Sequence, residues 1–390
     1  MKHRLVNVTN FRLEEGNCWI TALPADIQSG AHEGTLSPSG LRLFENGVEL
    51  GPGSASHATI RKTGGGAFSH WGADLYFSSS DNSSPKSNRR TYVALVPEAS
   101  VQDADGHVST SFNAAEPVNY SNESYSSRNI ASDAEYAVKI TESYVSSLPD
   151  GLNSLVGKSV LELGPGISFG TVLAMRALGA RSVAIADRFL AQFSVDYHPQ
   201  LYREIAVQLE KNFPNVDTSF LEQAAVEGHT KELVEAYEIP LERLGQHFHE
   251  IDIILSNAVL EHLFDPMAGA IALHAITAPD GIGLHQVDFR DHRDFSKPLE
   301  YLLLDDEEFT NLFNSCHGEC GRKTRPFQMA RMFELAGFEG VDFLPNMHAD
   351  PEYLADIIAR LRAQPANLYG YIDTTMLAPI SGQFRLRKPV

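Results

Sequence analysis

A chain of 390 residues is long enough for two domains and a large core, and its 43% apolar content is that of an ordinary soluble protein. A formal charge of −19 without a Lys/Arg stripe repels a phosphate backbone and argues against nucleic acid as a partner, and no run approaches the roughly eighteen apolar residues that span a bilayer. Met1 to Arg4 leads into a polar segment, not a signal-peptide core, and three cysteines (Cys18, Cys316, Cys320) suit a reducing compartment, so a cytoplasmic location is the expectation.

Residues 1–97 carry short apolar or alternating runs at Leu41–Phe44, Ala73–Phe77 and Thr91–Val96, separated by turn signals at Asn46–Gly47, Gly51–Pro52–Gly53 and Gly64–Gly66. A β-rich module is expected there. Its stretch Arg61–Tyr92 offers flat faces at Phe68, Trp71 and Tyr76 beside His70, Asp74, Asp81, Asn82, Asn88 and Arg89, a composition that suits polar or sugar ligands. The competing reading is that Asp81 to Pro85 is a turn whose side chains satisfy themselves. Residues 98–131, rich in Ser, Asn, Asp and Ala, read as a linker or extended wrap. Ser132 or Asp133 then caps an amphipathic helix carrying Tyr136, Val138, Ile140, Tyr144 and Val145, which opens a second domain, 132–390.

The most informative stretch follows. Val160 to Leu163 is an apolar run broken only by Glu162, and Gly164-Pro165-Gly166 permits a tight turn and close ligand approach. Thr171–Leu178 has helix-forming composition and stops at Gly179. Ser182–Ala186 is a second buried strand closed by Asp187, which lies 21 residues beyond Gly166, a spacing that fits a carboxylate receiving ribose hydroxyls. With Gly170 the glycines read G-x-G-x-x-x-G, not the G-x-G-x-x-G of nicotinamide enzymes, and a carboxylate at Glu162 argues against a pyrophosphate, which disfavours a dehydrogenase.

Residues 160–166 resemble the first motif of the class I S-adenosylmethionine-dependent methyltransferases, a strand ending in E/D-x-G-x-G. Ile251–Asn257 followed by Glu261-His262-Leu263, a strand over Gly281–Asp288, and Val341–Leu344 with Gln383–Arg387 as a closing antiparallel hairpin are similar to the rest of that family's pattern, over roughly residues 130–390. The resemblance implies an α/β fold, a seven-stranded doubly wound Rossmann-like sheet beside the smaller β-rich N-terminal domain, with S-adenosylmethionine as cofactor. It places Glu162, Gly164, Pro165, Gly166, Asp187, Arg188, Ser256, Asn257 and Glu261 at the cofactor, and Glu227 beside the adenine. It also implies an acceptor beyond the fourth and fifth strands.

That region holds His262, His285, Asp288, Arg290, Asp291, His292 and Arg293. Alternation separates His285 from Asp288, so His292, in the loop past the strand, is the favoured base, partnered by Asp288 or Asp291. Arg290 is a candidate acceptor contact, and Arg322, Lys323 and Arg325 ahead of a helix over Phe327–Ala336 read either as a basic patch for an anionic acceptor or as a solvated helix start. Cys316 and Cys320 without a second pair make poor zinc evidence, and no compact oxygen set suggests magnesium, so no metal is expected. The expected activity is O-methylation of a sugar hydroxyl in a bacterial surface glycan or its precursor, because the N-terminal segment is similar to extensions found beside enzymes of surface-polysaccharide assembly. An N- or O-methyltransferase of a small metabolite, or a non-catalytic glycan-binding protein, remains the alternative, and a homo-oligomer stays open.

Overall fold

The computed structural model describes residues 3–27, 40–97 and 125–390. Residues 98–124 of the expected linker lie outside the described residues; of its remainder, Ile130 and Ala131 already belong to a helix. Among the described residues no helix is long and apolar enough to cross a membrane.

The N-terminal residues form β1 (His3–Asn7), β2 (Arg12–Glu15), β3 (Cys18–Ala22), β4 (Arg42–Glu45), β5 (Val48–Glu49), a helix α1 (His57–Lys62), β6 (Phe68–Trp71), β7 (Asp74–Phe77) and β8 (Tyr92–Pro97). They assemble as two four-stranded antiparallel sheets, β1-β8-β4-β5 and β2-β3-β7-β6. Alternation explains the core between them: Leu43, Leu75, Phe77, Tyr92 and Ala94 turn inward, while Phe44 and Leu95 of the same strands face the other way. The Asn46–Gly47 turn joins β4 and β5 with both residues in the left-handed region, and a Cβ on Gly47 would stand 2.6 Å from the Ala275 methyl. Only glycine lets that turn rest on the second domain.

The second domain runs α2 (Ile130–Ser147), β9 (Ser159–Leu163), α3 (Gly170–Ala177), β10 (Ser182–Asp187), α4 (His198–Asn212), α5 (Ser219–Glu227), β11 (Glu235–Glu238), β12 (Ile251–Asn257), α6 (Pro266–Ile276), β13 (Thr277–Asp288), α7 (Asp306–Ser315), α8 (Pro326–Ala336), β14 (Gly340–His348), α9 (Pro351–Arg362), α10 (Thr374–Leu377) and β15 (Pro379–Arg387). The sheet order is β11-β10-β9-β12-β13-β15-β14, parallel except for β15, which runs antiparallel to both neighbours. The two closing strands are not a hairpin: residues 349–378, with α9 and α10, come between them and pack around Ile357, Leu361 and Leu377.

Apolar clusters cover both faces of the sheet. On one, Val160, Val183, Ile185, Ile253, Leu255 and Leu284 meet α2, α3 and α4. On the other, Leu161, Ala184, Ile254, Val287 and Phe384 meet α6 and α8, and Phe44 and Leu95 of the N-terminal sheet join the same cluster. Ion pairing of Arg42 with Asp265, the N-cap of α6, reinforces that junction. The cap of α2 differs from expectation: Asn129, not Ser132 or Asp133, receives the Ser132 amide hydrogen, because the helix begins one turn earlier at Ile130.

Candidate active site

Strand alternation assembles the site. Because Val160, Ile185, Leu255 and Leu284 face α2–α4, the residues two further along their strands, Glu162, Asp187, Asn257 and Gln286, emerge on that same face at the carboxyl ends of adjoining strands. Ligands of open α/β sheets collect at this edge.

Glu162 is fully buried, burial pushes its carboxyl up to about 8, and its Oε2 has no partner. Gly164 and Gly166 follow with φ of +65° and +67°, the second with open space where a Cβ would stand. Burial also raises Asp187, opposed by amide hydrogens of Phe189, at 3.2 Å from Oδ1, and Arg188. Arg188 itself lies over the Phe264 ring, 5.6 Å from its centroid. Asn257 Nδ2 donates to the Tyr136 hydroxyl (2.6 Å), which brings α2 over the strand ends. Tyr136 belongs to a helix expected to be amphipathic and to cover the cofactor; its side chain is 59% exposed.

Several expected residues lie elsewhere. The Ser256 side chain and His285 point to the opposite face, hydrogen-bonded to each other at 2.8 Å, with His285 stacked near Phe333; the contact expected of Ser256 is through its backbone carbonyl and does not involve that side chain. Desolvation lowers the His285 imidazole to about 3, so it is a neutral core group and not a base facing the site. Glu227 ends α5 exposed, bonded to Gln223; the strand before the adenine side is β11, whose Glu238 pairs with Asp187 in register. That strand escaped notice because Glu235–Glu238 has almost no apolar pattern.

On the acceptor side, Asp288 holds Arg290 through Nε (2.9 Å) and Nη2 (2.6 Å), and Arg290 covers the Phe295 ring at 4.2 Å. Asp291 is 1% exposed and held in the same bidentate way by Arg293, so it does not reach His292. His292 Nε2 is buried without a hydrogen-bond partner, 3.7 Å from Asp288 Oδ2. Desolvation lowers its imidazole, with neighbouring His262 adding to the effect; their rings meet edge-on at 5.2 Å. The loop that carries Cys316 and Cys320 positions both: His262 Nδ1 donates to the Gly318 carbonyl (2.9 Å), and the Glu319 backbone bonds the His292 ring. Among the described residues no three His, Cys, Asp or Glu side chains group to hold a metal ion.

Glu261 is buried below this edge. Its Oε1 accepts the Asp288 amide hydrogen (3.1 Å), its Oε2 is unpartnered, and burial pushes it up to about 8. It therefore ties the ends of β12 and β13 together instead of facing the cofactor loop.

The expected basic patch is consumed by the fold. Arg325 is fully buried and donates to the carbonyls of Phe289 (2.7 Å), Leu377 (3.0 Å) and Pro379. Arg322 donates to the Leu263 carbonyl (3.0 Å) over the Phe313 ring, and Lys323 to the Leu304 carbonyl (3.0 Å). Neither Arg325 nor Arg322 is placed to bind an anionic acceptor. Several of the N-terminal polar groups are engaged within the module: Asp81 pairs with Arg90, Asn82 accepts the Gly65 amide hydrogen and Asn88 reaches Tyr92, while Phe68 is core.

A parallel sheet closed by one antiparallel strand, with a carboxylate–glycine loop and a second carboxylate at the next strand end, defines a Rossmann-like methyltransferase. The sequence profile described as a methyltransferase domain matches residues 141–342, more than half of the chain, and the chain belongs to that family. Solved structures similar to it include an S-adenosylmethionine-dependent methyltransferase from Mesorhizobium loti (13% identity, 67% of this chain and 100% of that one, TM-score 0.34). Another is phosphoethanolamine N-methyltransferase 2 of Haemonchus contortus in complex with phosphomonomethylethanolamine and S-adenosylhomocysteine (13% identity, 97% and 71%, TM-score 0.34). The profile match, not these distant likenesses, carries the assignment. No curated protein matches the chain.

The cofactor is S-adenosylmethionine, and the residues present fit it: an open glycine turn, a Glu162 carboxyl with one unpartnered oxygen and a carboxylate at Asp187 are what a nucleoside carrying an amino-acid tail requires.

Proposed function

We propose that the protein methylates a hydroxyl group of a sugar, free or within a glycan precursor. The observation that carries this reading is His292: a neutral imidazole whose buried Nε2 makes no hydrogen bond in the fold and has Asp288 Oδ2 3.7 Å from that same nitrogen. An alcohol must lose a proton as its oxygen is methylated, and a neutral imidazole with a carboxylate beside the accepting nitrogen is suited to take it. An amine acceptor reacts through its lone pair and does not need that base.

The bound cofactor supplies an electrophilic methyl group. Glu162, Gly164, Pro165, Gly166, Asp187 and Asn257 would hold it, and Tyr136 on α2 covers Asn257. His292 Nε2 accepts the hydroxyl proton, and the Asp288 carboxylate stabilises the imidazolium that results.

The test is methyl transfer from isotope-labelled S-adenosylmethionine to neutral sugars, sugar acids and amines. A sugar product whose rate falls about 10²–10⁴-fold in His292→Ala, with S-adenosylhomocysteine affinity unchanged, supports the reading. Because burial lowers His292, wild-type kcat/KM should hold below the usual imidazole range near 6.5 and fall only as Nε2 is protonated. Amine products made equally well by the variant overturn it.

A further inference from the structure

Beside the strand ends a cleft of about 220 Å³ opens between α2 and the last strands of the sheet, lined by Tyr144, Asn257, Gln286, Asn346 and Gln383 with Ile140 and Ser143. Three neighbouring strands supply its floor: Asn257 pairs with Gln286, and Gln286 with Gln383, across β12, β13 and β15. The same alternation that brings Glu162 and Asp187 to this face brings these amides to it.

The lining is uncharged, which is unusual at the functional edge of a protein with a formal charge of −19. Part of it is locked: Asn346 Nδ2 donates to Gln286 Oε1 (3.0 Å), and Gln286 Nε2 donates to Ser381 Oγ (2.8 Å). Part of it is left over. The Tyr144 hydroxyl is buried without a partner, and the 8%-exposed Gln383 makes no side-chain hydrogen bond among the described residues. Fixed carboxamides offer a donor and an acceptor each, and an unpartnered hydroxyl and amide at one cleft are costly unless something completes them.

We propose that this cleft is the acceptor subsite and that it takes an uncharged, ring-sized molecule bearing hydroxyl or carboxamide groups, the free Gln383 amide and Tyr144 hydroxyl being its main contacts. The inference rests on the methyl-transfer reading. Its volume is below the roughly 300–1,000 Å³ of sites for larger ligands, which suits one sugar ring or the terminal unit of a chain. Anions have no partner here, since Arg322 and Arg325 are tied to main-chain carbonyls and Arg290 to Asp288. Glu162 does not line the cleft.

Saturation-transfer NMR with N-acetylglucosamine, glucuronate and glucosamine tests it, on the full chain with and without S-adenosylhomocysteine. The expected result is binding of N-acetylglucosamine above the two charged sugars, weakened about fivefold or more in Gln383→Leu and in Tyr144→Phe. Asn346→Leu, on the exposed edge strand, should weaken it as well and serves if the buried variants melt early. S-adenosylhomocysteine affinity should stay at the wild-type value in Gln383→Leu. Preference for a charged sugar, no sugar binding, wild-type sugar binding in the variants, or loss of S-adenosylhomocysteine binding in Gln383→Leu each overturns the proposal. Failure of the methyl-transfer reading would show separately, as wild-type protein that binds no S-adenosylhomocysteine at all.

Discussion

The two halves of the sheet's carboxyl edge use their charged residues in different ways. At β9 and β10, Glu162 and Asp187 reach the strand ends without a cation in contact: one has an unpartnered oxygen, the other only amide hydrogens. At β12, β13 and the loops after them, Asp291, Arg322 and Arg325 look equally available in sequence, yet each is bound by neighbours that hold the architecture together. In this comparison the groups with hydrogen-bonding capacity left over lie at the cofactor edge, and the satisfied charges of Asp291, Arg322 and Arg325 act as struts.

The strongest way to break this comparison is Arg325→Met. Removing the guanidinium leaves the Phe289, Leu377 and Pro379 carbonyls without their donor, and a loss of roughly 3 kcal/mol is expected, seen as a melting temperature lower by about 5 °C or more. A normal melt with lost acceptor binding would return Arg325 to the site. Asp187→Ala should do the reverse, leaving the melt near wild type while calorimetry shows S-adenosylhomocysteine affinity reduced about tenfold to a hundredfold.

Glu261 sharpens the contrast through pH. Its folded pKa, about 8, stands above the ordinary 4.5, so the stability it contributes is fully present below 4.5 and is lost as pH rises through about 8. Glu261→Gln cannot ionise and keeps the Oε1 acceptor for the Asp288 amide, so its melting temperature should gain on wild type steadily between pH 5 and 9. A constant difference across that range would show that Glu261 does not titrate there. The smallest effect belongs to the start of α2: Asn129→Ala should cost about 1 kcal/mol in denaturant melts and Ser132→Ala almost nothing.

Much of the catalytic half was legible before any fold was seen. The strands around Val160–Leu163, Ser182–Asp187 and Ile251–Asn257 are nearly continuous apolar runs, because parallel strands are buried on both faces, and the loop after Leu163 announces itself by two glycines. β11 was not legible, since an edge strand with one exposed face needs few apolar residues. The pairing of Tyr136 with Asn257 joins residues 121 positions apart, and no local pattern could signal it.

The sequence by itself determined the class of fold, the cofactor loop and the Asp187 position, because hydrophobic period and glycine placement are local and survive without tertiary contacts. Only the tertiary structure decided that His285 faces Ser256 in the core, that Asp288 and not Asp291 stands beside His292 Nε2, and that Arg325 is a buried tie. A side chain's role depends on which groups have already taken its hydrogen bonds, and those partners come from distant strands and loops that only folding brings together.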